Sequence, residues 1–331
     1  MAHQTKNTPP YFQTMSTVPP APQPSNPPPT LASEGHSPSS PSSHPTNSRF
    51  PAPKLRLELR DLSHQSTDVF LNNFKSSKDF STLVATVLRL LYTTQHDTVP
   101  EQPTTDGQST STARPAPTNP SIPDTRSVTL ILRDMGGVAY TTGIDLDDDH
   151  KEIHLSLDYI SHVASSQSPT RHELLGVIAH ELVHCFQWNA KGTAPGGLIE
   201  GIADWVRLNA GFVPPHWKKD GHGDWDRGYQ NTGYFLDWIE KTKGRGSIYR
   251  LNQALCHHKY DESKFWTRLF GEHVNELYSQ YQKALEEEEA EAARLDPSTR
   301  YGDPSKKMQV RIKDSDDDGN VDAEAGAPVE N

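Results

Sequence analysis

The first hydrophobic segments of the chain show two patterns that predict a strand and a helix. In residues 54–62, leucines alternate with charged residues, a period-two pattern typical of a half-buried strand. In residues 79–92, apolar residues recur at the spacing of one helix face, which predicts an amphipathic helix. The apolar positions of that helix are Leu83, Val84, Val87, Leu88 and Leu91.

Further along, the apolar segments predict a small sheet followed by helices. Strands are predicted at 127–132, 138–140 and 152–160, and a turn rich in Asp is expected at 145–149, before the last of them. From about residue 168 the hydrophobic spacing becomes helical and stays so through the rest of the domain. This order of elements predicts an α+β fold with a small N-terminal sheet and a helical C-terminal part.

Composition limits the predicted domain to residues 54–282. The chain has 331 residues and 27 prolines, of which 14 lie before residue 54. Residues 1–53 are therefore predicted to be a disordered leader rich in Pro and Ser. Residues 95–126, mostly Thr, Ser, Pro, Asp and Gln, are predicted to be a disordered insertion. Residues 283–331 are predicted to extend the last helix and then to form an acidic disordered tail.

Charge and hydropathy exclude several classes of protein. No window approaches eighteen apolar residues, so no membrane span is expected. The net charge of −11 argues against a nucleic-acid partner. Two cysteines are too few for a disulfide scaffold or a cysteine-based zinc module. No signal peptide is visible, so the cytoplasm is the default expectation, with export by another route and the oligomeric state left open.

The sequence marks both ends of a long helix that begins near residue 168. Ser168 suits the N-cap, Pro169 suits the first helical position, and Thr170 with Glu173 suits a capping box. Gly192 suits the residue at which the helix stops.

Within this predicted helix, His180, Glu181 and His184 form the motif H-E-x-x-H. The two histidines lie about 40° apart on a helical wheel, so both can hold one metal ion, and Glu181 flanks them within reach of a water on that ion. They face away from the apolar stripe of the helix, so the alternative is a chance pair of histidines on a wet surface. The apolar stripe consists of Leu175, Ala179, Leu182 and Phe186.

A second predicted helix, at 198–210 with Gly211 after it, presents two carboxylates on one face. Catalytic zinc takes three protein ligands, commonly two His and one Glu, and a ligating His needs an acceptor for its other ring nitrogen. We therefore predict one zinc ion per chain, with Glu200 as its third ligand and Asp204 as the orienting partner of His180. This spacing is seen in metallopeptidases of the gluzincin type, and a solvated pair of carboxylates is the alternative.

The run HELVHCFQWNAKGTAPGGLIEGIADWVRLNAGF, residues 180–212, resembles the signature of the plant basic secretory protein family, which also occurs in bacteria and fungi. The resemblance continues at 228–238 and 135–140, and it covers most of 54–282. It implies a zincin-like metallopeptidase domain, a single zinc ion and a peptide or protein substrate. The chain departs from the family name, because it is acidic and shows no signal peptide, so neither the compartment nor the particular substrate is carried over.

The motif residues predict peptide-bond hydrolysis by a zinc-activated water, with Glu181 as the general base and later the proton donor to the leaving amine. The oxyanion needs a second donor besides zinc. Tyr229 is the first choice because it lies within a family-like run, with a purely structural tyrosine as the alternative. The substrate is expected to pair with an exposed strand edge at 153–159. The other oxyanion candidates are His216, His222 and Tyr234.

Two further functions remain open from the sequence. The fold could serve as a protein-binding module without catalysis, or it could hydrolyse an amide that is not a peptide. Retention of Glu181 favours the peptidase, because a binding module needs the fold but not the base. Gln187 lies beside the two histidines on the helical wheel, where it could bond a ligand or substrate, although a local structural hydrogen bond is expected.

Overall fold

The computed structural model describes residues 50–93, 120–144, 146–166 and 169–295. Most of the predicted leader, most of the predicted insertion and the tail from residue 296 lie outside these ranges. The predictions of disorder for those segments therefore stay predictions.

The described part of the chain forms four strands and nine helices, which confirms the predicted α+β class with its small sheet. None of these helices is long and apolar enough to cross a membrane. The strands are β1 (Lys54–Leu59), β2 (Ser127–Arg133), β3 (Ala139–Ile144) and β4 (Asp147–Ser156). The helices are α1 (Gln65–Asn73), α2 (Ser76–Tyr92), α3 (Leu157–Ser165), α4 (Thr170–Phe186), α5 (Gly196–Asn209), α6 (Tyr229–Thr242), α7 (Ser247–His257), α8 (Glu262–Phe270) and α9 (Val274–Leu295).

The strands form one sheet in the order β1-β2-β4-β3. β2 runs parallel to both β1 and β4, whereas β3 and β4 form an antiparallel hairpin. The register sets Leu57, Leu130 and Ile153 in one row on the face that packs against the helices. The next row, with Arg56 and Glu152, lies on the polar face. The alternation of leucines and charged residues in β1 therefore indicates which face of the sheet packs against the helices.

Helix α4 is the central helix of the core. It packs against α2, α3 and α5 and against strands β3 and β4. Every residue from 173 to 186 except His184 is buried. Burial of a side chain such as Ile178 or Leu182 stabilises the fold by about 1.5–3 kcal/mol. The helix that carries the H-E-x-x-H motif is thus held from several sides.

The predicted strand 152–160 is wrong at its C-terminal end. β4 ends at Ser156, and helix α3 begins at the next residue. The Ser156 hydroxyl accepts a hydrogen bond from the backbone N–H of Tyr159 at 3.2 Å, as an N-cap does. Leu157 and Ile160 are then buried at helical spacing. The cap therefore ends a strand that the alternation alone would continue.

The predicted Asp-rich turn at 145–149 is also wrong, because residues from Asp147 onward belong to β4. The guanidinium of Arg126, just before β2, forms ion pairs with Asp147 and Asp149. These pairs offset the repulsion between neighbouring carboxylates at the start of the strand. β4 therefore begins inside the segment that was predicted to be a turn.

Helix α4 begins one residue later than predicted. Pro169 is the N-cap and no side chain caps the helix, so neither Pro169 at the first helical position nor a capping box is present. Ser168 lies outside the described residues. Glu173 turns away from the helix end and accepts a hydrogen bond from Arg207 on α5 at 2.9 Å. Glu173, which was expected to cap α4, therefore forms a buried ion pair with α5 instead.

The C-terminal end of α4 also differs from the prediction. The helix stops at Phe186, because Gln187 adopts an extended backbone with φ −87° and ψ 155°. Gly192, the predicted stop, lies six residues after Phe186, in a turn at φ 75°. The prediction for the next helix is better, since Gly211 has φ 83° and follows the end of α5 closely.

The last residues of the predicted insertion, 120–126, pack onto the domain. The Ser121 N–H donates to Gln253 at 2.9 Å, and the Ser121 carbonyl accepts from the indole of Trp188 at 3.0 Å. Thr125 donates its hydroxyl proton to the carbonyl of Cys185 at 2.7 Å. This segment leads directly into β2 and is tied to the last turn of α4, to Trp188 after it and to Gln253 on α7.

Candidate functional site

The His-Glu-x-x-His segment of α4 is sheltered rather than exposed. His180 and Glu181 are only 8% and 6% exposed, which argues against the alternative of a chance pair of histidines on a wet surface. Strand β3 and helix α5 both pack on α4 and cover the side that the wheel places away from the apolar stripe. The side chain of Glu200 remains 31% exposed, which leaves the site open on one side.

Helix α5 brings Glu200 and Asp204 against α4 because small residues allow close packing. A Cβ atom on Gly176 of α4 would lie 2.7 Å from the Arg207 guanidinium of α5. A Cβ on Gly201 of α5 would overlap the side chain of Thr232 on α6. The two carboxylates that face α4 therefore lie on a helix fixed from both sides.

Three potential metal donors converge where α4 meets α5. One donor atom from each of His180, His184 and Glu200 lies within 4.8 Å of the other two. The Nε2 atom of His180 lies 3.1 Å from Glu200 Oε2 and 3.3 Å from His184 Nε2. Two imidazole nitrogens and one carboxylate oxygen suit a catalytic zinc site, which keeps a further position open. The donor set therefore fits the ion that the sequence suggests.

Asp204 supports His180 from behind. Its Oδ1 lies 2.7 Å from His180 Nδ1, and its side chain is almost completely buried. Burial lowers the pKa of His180, but the hydrogen bonds to Asp204 and Glu200 outweigh it and raise the pKa to about 10. Burial raises the pKa of the Glu200 carboxyl, but hydrogen bonds from His180 and His184 lower it by more. The net pKa of this carboxyl therefore lies well below its usual range.

Gln187 is the corresponding neighbour of His184. Its side-chain amide lies 2.8 Å from His184 Nδ1, and its buried Oε1 atom has no hydrogen-bond partner in the described structure. A metal on Nε2 of His184 would leave the ring proton on Nδ1. Rotation of the amide by half a turn would let the unpaired Oε1 accept that proton. The contact with a predicted ligand replaces the local structural hydrogen bond expected for Gln187.

The carboxylate of Glu181 is bonded to strand β3. The Thr141 hydroxyl lies 2.7 Å from Glu181 Oε2 and 3.0 Å from the Glu181 backbone carbonyl oxygen. Thr141 pairs with Ile153 of β4, so its side chain lies on the helix-facing side of the sheet. The sheet edge and the motif helix therefore meet at the predicted general base.

Tyr229 is the oxyanion candidate that touches a predicted ligand. Its ring stacks on His180 with centroids 6.1 Å apart and planes 13° apart, and the side chain is largely exposed. Its φ of 47° is unusual for a residue with a side chain, and it follows Gly228 at φ 85°. Tyr234 instead packs edge-on against Trp217. The two other candidates, His216 and His222, are both exposed in the loop before α6.

The expected substrate edge at 153–159 is contradicted by the sheet. β4 lies between β2 and β3, so both of its edges are already paired, and residues from 157 onward are helical. In the described structure β3 is the outer strand on the side of α4 and pairs only with β4. Val138, Tyr140 and Ile144 are exposed at this outer strand or next to it.

Sequence reasoning missed Thr141 as a member of the site. Its contact joins residues forty positions apart, and no local motif reports such a distance. The alternation of β3 appears in its burial rather than in its residue types, and the pairing of Ala139 with Leu155 and of Thr141 with Ile153 places both on the helix-facing side. A hydroxyl on the buried side of an otherwise apolar sheet requires a polar partner.

Comparison with known families assigns the chain to the peptidases. A family model described as peptidase of plants and bacteria matches residues 52–281. The chain therefore belongs to this BSP family, the one that the sequence resembles, and the family implies a peptide or protein substrate. No curated protein and no solved structure matches the chain.

Proposed function

We propose that the chain is a zinc-dependent peptidase in which His180, His184 and Glu200 hold the metal. The observation that carries the proposal is the convergence of these three donors from two helices beside the buried carboxylate of Glu181. A zinc ion bound by such a set supplies Lewis-acid chemistry, which activates water and polarises the scissile carbonyl.

The surrounding residues support this donor set. Asp204 accepts the Nδ1 proton of His180, which would leave Nε2 as the metal-binding nitrogen, beside the donor atoms of Glu200 and His184. A glutamate carboxyl is ionised at neutral pH, so Glu200 would be the anionic donor of the set. One anionic and two neutral donors leave a net positive charge at a divalent ion, which favours attack on a carbonyl carbon.

Glu181 is the proposed general base. Its carboxylate accepts a proton from the attacking water and later gives it to the leaving amine. The residue follows a metal ligand directly in the sequence, so it flanks the donors without belonging to the set. Its low exposure limits competition from bulk water for the same proton.

Tyr229 is the proposed donor to the oxyanion. Its ring lies against His180, and its exposed position lets the hydroxyl face a bound peptide. The left-handed backbone at this residue costs about 1–2 kcal/mol, and strain of this kind is frequent at active sites.

The proposed substrate is an extended peptide that adds to the outer edge of β3. Backbone groups on that edge can pair with a peptide of many sequences, which suits loose specificity toward unfolded proteins. Thr141 on the same strand contacts Glu181, so a paired peptide would run beside the proposed base. The exposed apolar residues Tyr140 and Ile144 would favour substrates with apolar side chains on one face.

The test compares the wild type with the Glu181→Gln variant, which is nearly isosteric and removes only the basicity. Elemental analysis should find about one zinc per chain in both proteins. Casein digestion by the wild type should stop on addition of a chelator and return with zinc. The variant should lose about 10²–10⁴-fold in activity while it keeps its zinc and thermal stability.

Glu262→Gln, an exposed change on α8, is the matched control and should behave as the wild type. Retained zinc with equal inactivity of the wild type and Glu181→Gln on several unfolded proteins would refute the peptidase and favour a binding module. Absence of zinc after preparation without chelators would refute the metal site itself.

A further inference from the structure

The contact between Thr141 and Glu181 joins the sheet edge to the proposed base. Glu181 is buried, and a buried carboxylate is costly unless a donor satisfies it. Among the described residues, the Thr141 hydroxyl is the one donor within hydrogen-bond distance of the Glu181 carboxylate. The contact therefore fixes the position of a side chain that would otherwise have several rotamers to choose from.

We propose that Thr141 is a positioning residue that holds the Glu181 carboxylate in its reactive orientation. The inference rests on the proposed peptidase function and adds to it a residue outside the motif. By binding Oε2, the hydroxyl leaves Oε1 as the oxygen that exchanges a proton with water and with the leaving amine. One carboxylate oxygen is thus anchored while the other takes part in proton transfer.

The single hydroxyl proton of Thr141 has two acceptors on the same residue. The backbone carbonyl of Glu181, at 3.0 Å, also lies within α4, where it accepts the helical N–H four residues later. The carboxylate has the greater need for the proton, because a charged acceptor forms the stronger hydrogen bond. The carbonyl then fixes the hydroxyl rotamer, so that Thr141 is itself held in place.

The location of Thr141 on β3 links base orientation to substrate alignment. The side chain points to α4, whereas the backbone of the same strand forms the outer edge of the sheet. The same strand, β3, would then fix the positions of both the paired peptide and the anchored carboxylate. General-base catalysis depends on this geometry, since the base must lie within hydrogen-bond reach of the proton it removes.

The experiment uses three variants of the full chain loaded with zinc. Thr141→Val keeps the shape but removes the hydroxyl, Thr141→Ser keeps the hydroxyl, and Thr267→Val makes the same change at an exposed residue of α8, outside the proposed site. Using a fluorogenic peptide, we expect Thr141→Val to lower kcat by about 10- to 100-fold with little change in KM, a part of the full effect of a general base. Thr141→Ser should recover most of kcat, and Thr267→Val should match the wild type.

A second measurement tests the contact without activity. Loss of a hydrogen bond to a buried carboxylate should lower Tm by about 3–10 °C for Thr141→Val in the wild-type background. In a Glu181→Ala background the same substitution should cost much less, because the acceptor is already gone.

These outcomes separate the failure of the inference from the failure of the proposed function. An active wild type with unchanged kcat in Thr141→Val would overturn the role of Thr141, as would equal loss in Thr141→Ser and Thr141→Val. An equal Tm loss in both backgrounds would also overturn it, since the hydroxyl would then serve another acceptor. An inactive wild type that still shows the thermal coupling would overturn the peptidase function and, with it, the catalytic use of the contact.

Discussion

The replacement of Asp204 by Asn tests the proposed metal site through one buried atom pair. Asp204 Oδ1 lies 2.7 Å from His180 Nδ1, and its side chain is 4% exposed. Asn has the same size and keeps an oxygen that can accept the imidazole proton. Gly233 of α6 packs against Asp204, and a Cβ atom added to this glycine would lie only 3.2 Å from the Cβ of Asp204. Little room therefore exists for a compensating water. The substitution therefore removes the negative charge and leaves the packing almost unchanged.

The expected loss follows from what such a carboxylate does for a ligating histidine. It holds the ring and makes Nε2 a stronger donor, and its removal typically weakens metal affinity by about 10- to 100-fold. This corresponds to about 1.4–2.7 kcal/mol. At a fixed excess of zinc, the stabilisation by bound metal falls by the same amount. For a domain of this size Tm should drop by about 3–11 °C in the zinc-loaded protein.

The assay is zinc titration against a competing chelator, combined with thermal unfolding with and without metal. The difference between the two unfolding temperatures isolates the metal-linked part from any loss in the metal-free protein. Asp237→Asn on α6 is the control, because Asp237 is a well-covered carboxylate that pairs with Lys241 away from the site. Zinc affinity indistinguishable from the wild type in Asp204→Asn would refute the idea that Asp204 supports a metal ligand.

Two further predictions concern stability. Gly201→Ala should force α5 from α6, because its Cβ would overlap Thr232, and should lower the free energy of unfolding by about 1–3 kcal/mol; Gly196→Ala, with open space around it, should be neutral in the same denaturant titration. The bidentate hydrogen bond from Arg171 holds the pKa of Asp79 below its usual value although burial raises it. The resulting stability is present above the unfolded pKa of about 3.9 and is lost as pH falls through the lower folded value. The Tm difference between the wild type and Asp79→Asn should therefore be clear at neutral pH and vanish in strong acid, and a constant difference at all pH values would contradict this assignment.

The metal donors could be placed from the sequence because their spacing is local. His180 and His184 are one helical turn apart, and so are Glu200 and Asp204, so each pair shares a helix face whatever the rest of the fold does. That the two faces would meet was inferred from the donor chemistry and agrees with the cluster in the structure. Fold class followed in the same way from the order of alternating and helical segments.

The errors occur where a nonlocal contact or a single side-chain bond decides. The segment around Ser156 alternates on both sides, and only the cap formed by that hydroxyl turns strand into helix. Gly192 is a suitable stop by residue type, yet α4 ends earlier because Gln187 leaves the helix and contacts His184. Strand order has no signature in one sequence, so the outer position of β3 and the contact of Thr141 were not predictable from spacing.

The site draws on two structural layers that carry different tasks. The donors His180, His184 and Glu200 depend on the close packing of α4 with α5, which in turn depends on Gly176 and on the contact of α5 with α6. The proposed base depends on the sheet, through the hydroxyl of Thr141. Loosening the helix layer should therefore change metal affinity and stability together, whereas loss of the sheet contact should lower turnover while zinc stays bound. In a scaffold that the metal only stabilises, no substitution would lower turnover while zinc stays bound. A loss of turnover without a loss of zinc therefore distinguishes an enzyme from a metal-stabilised scaffold.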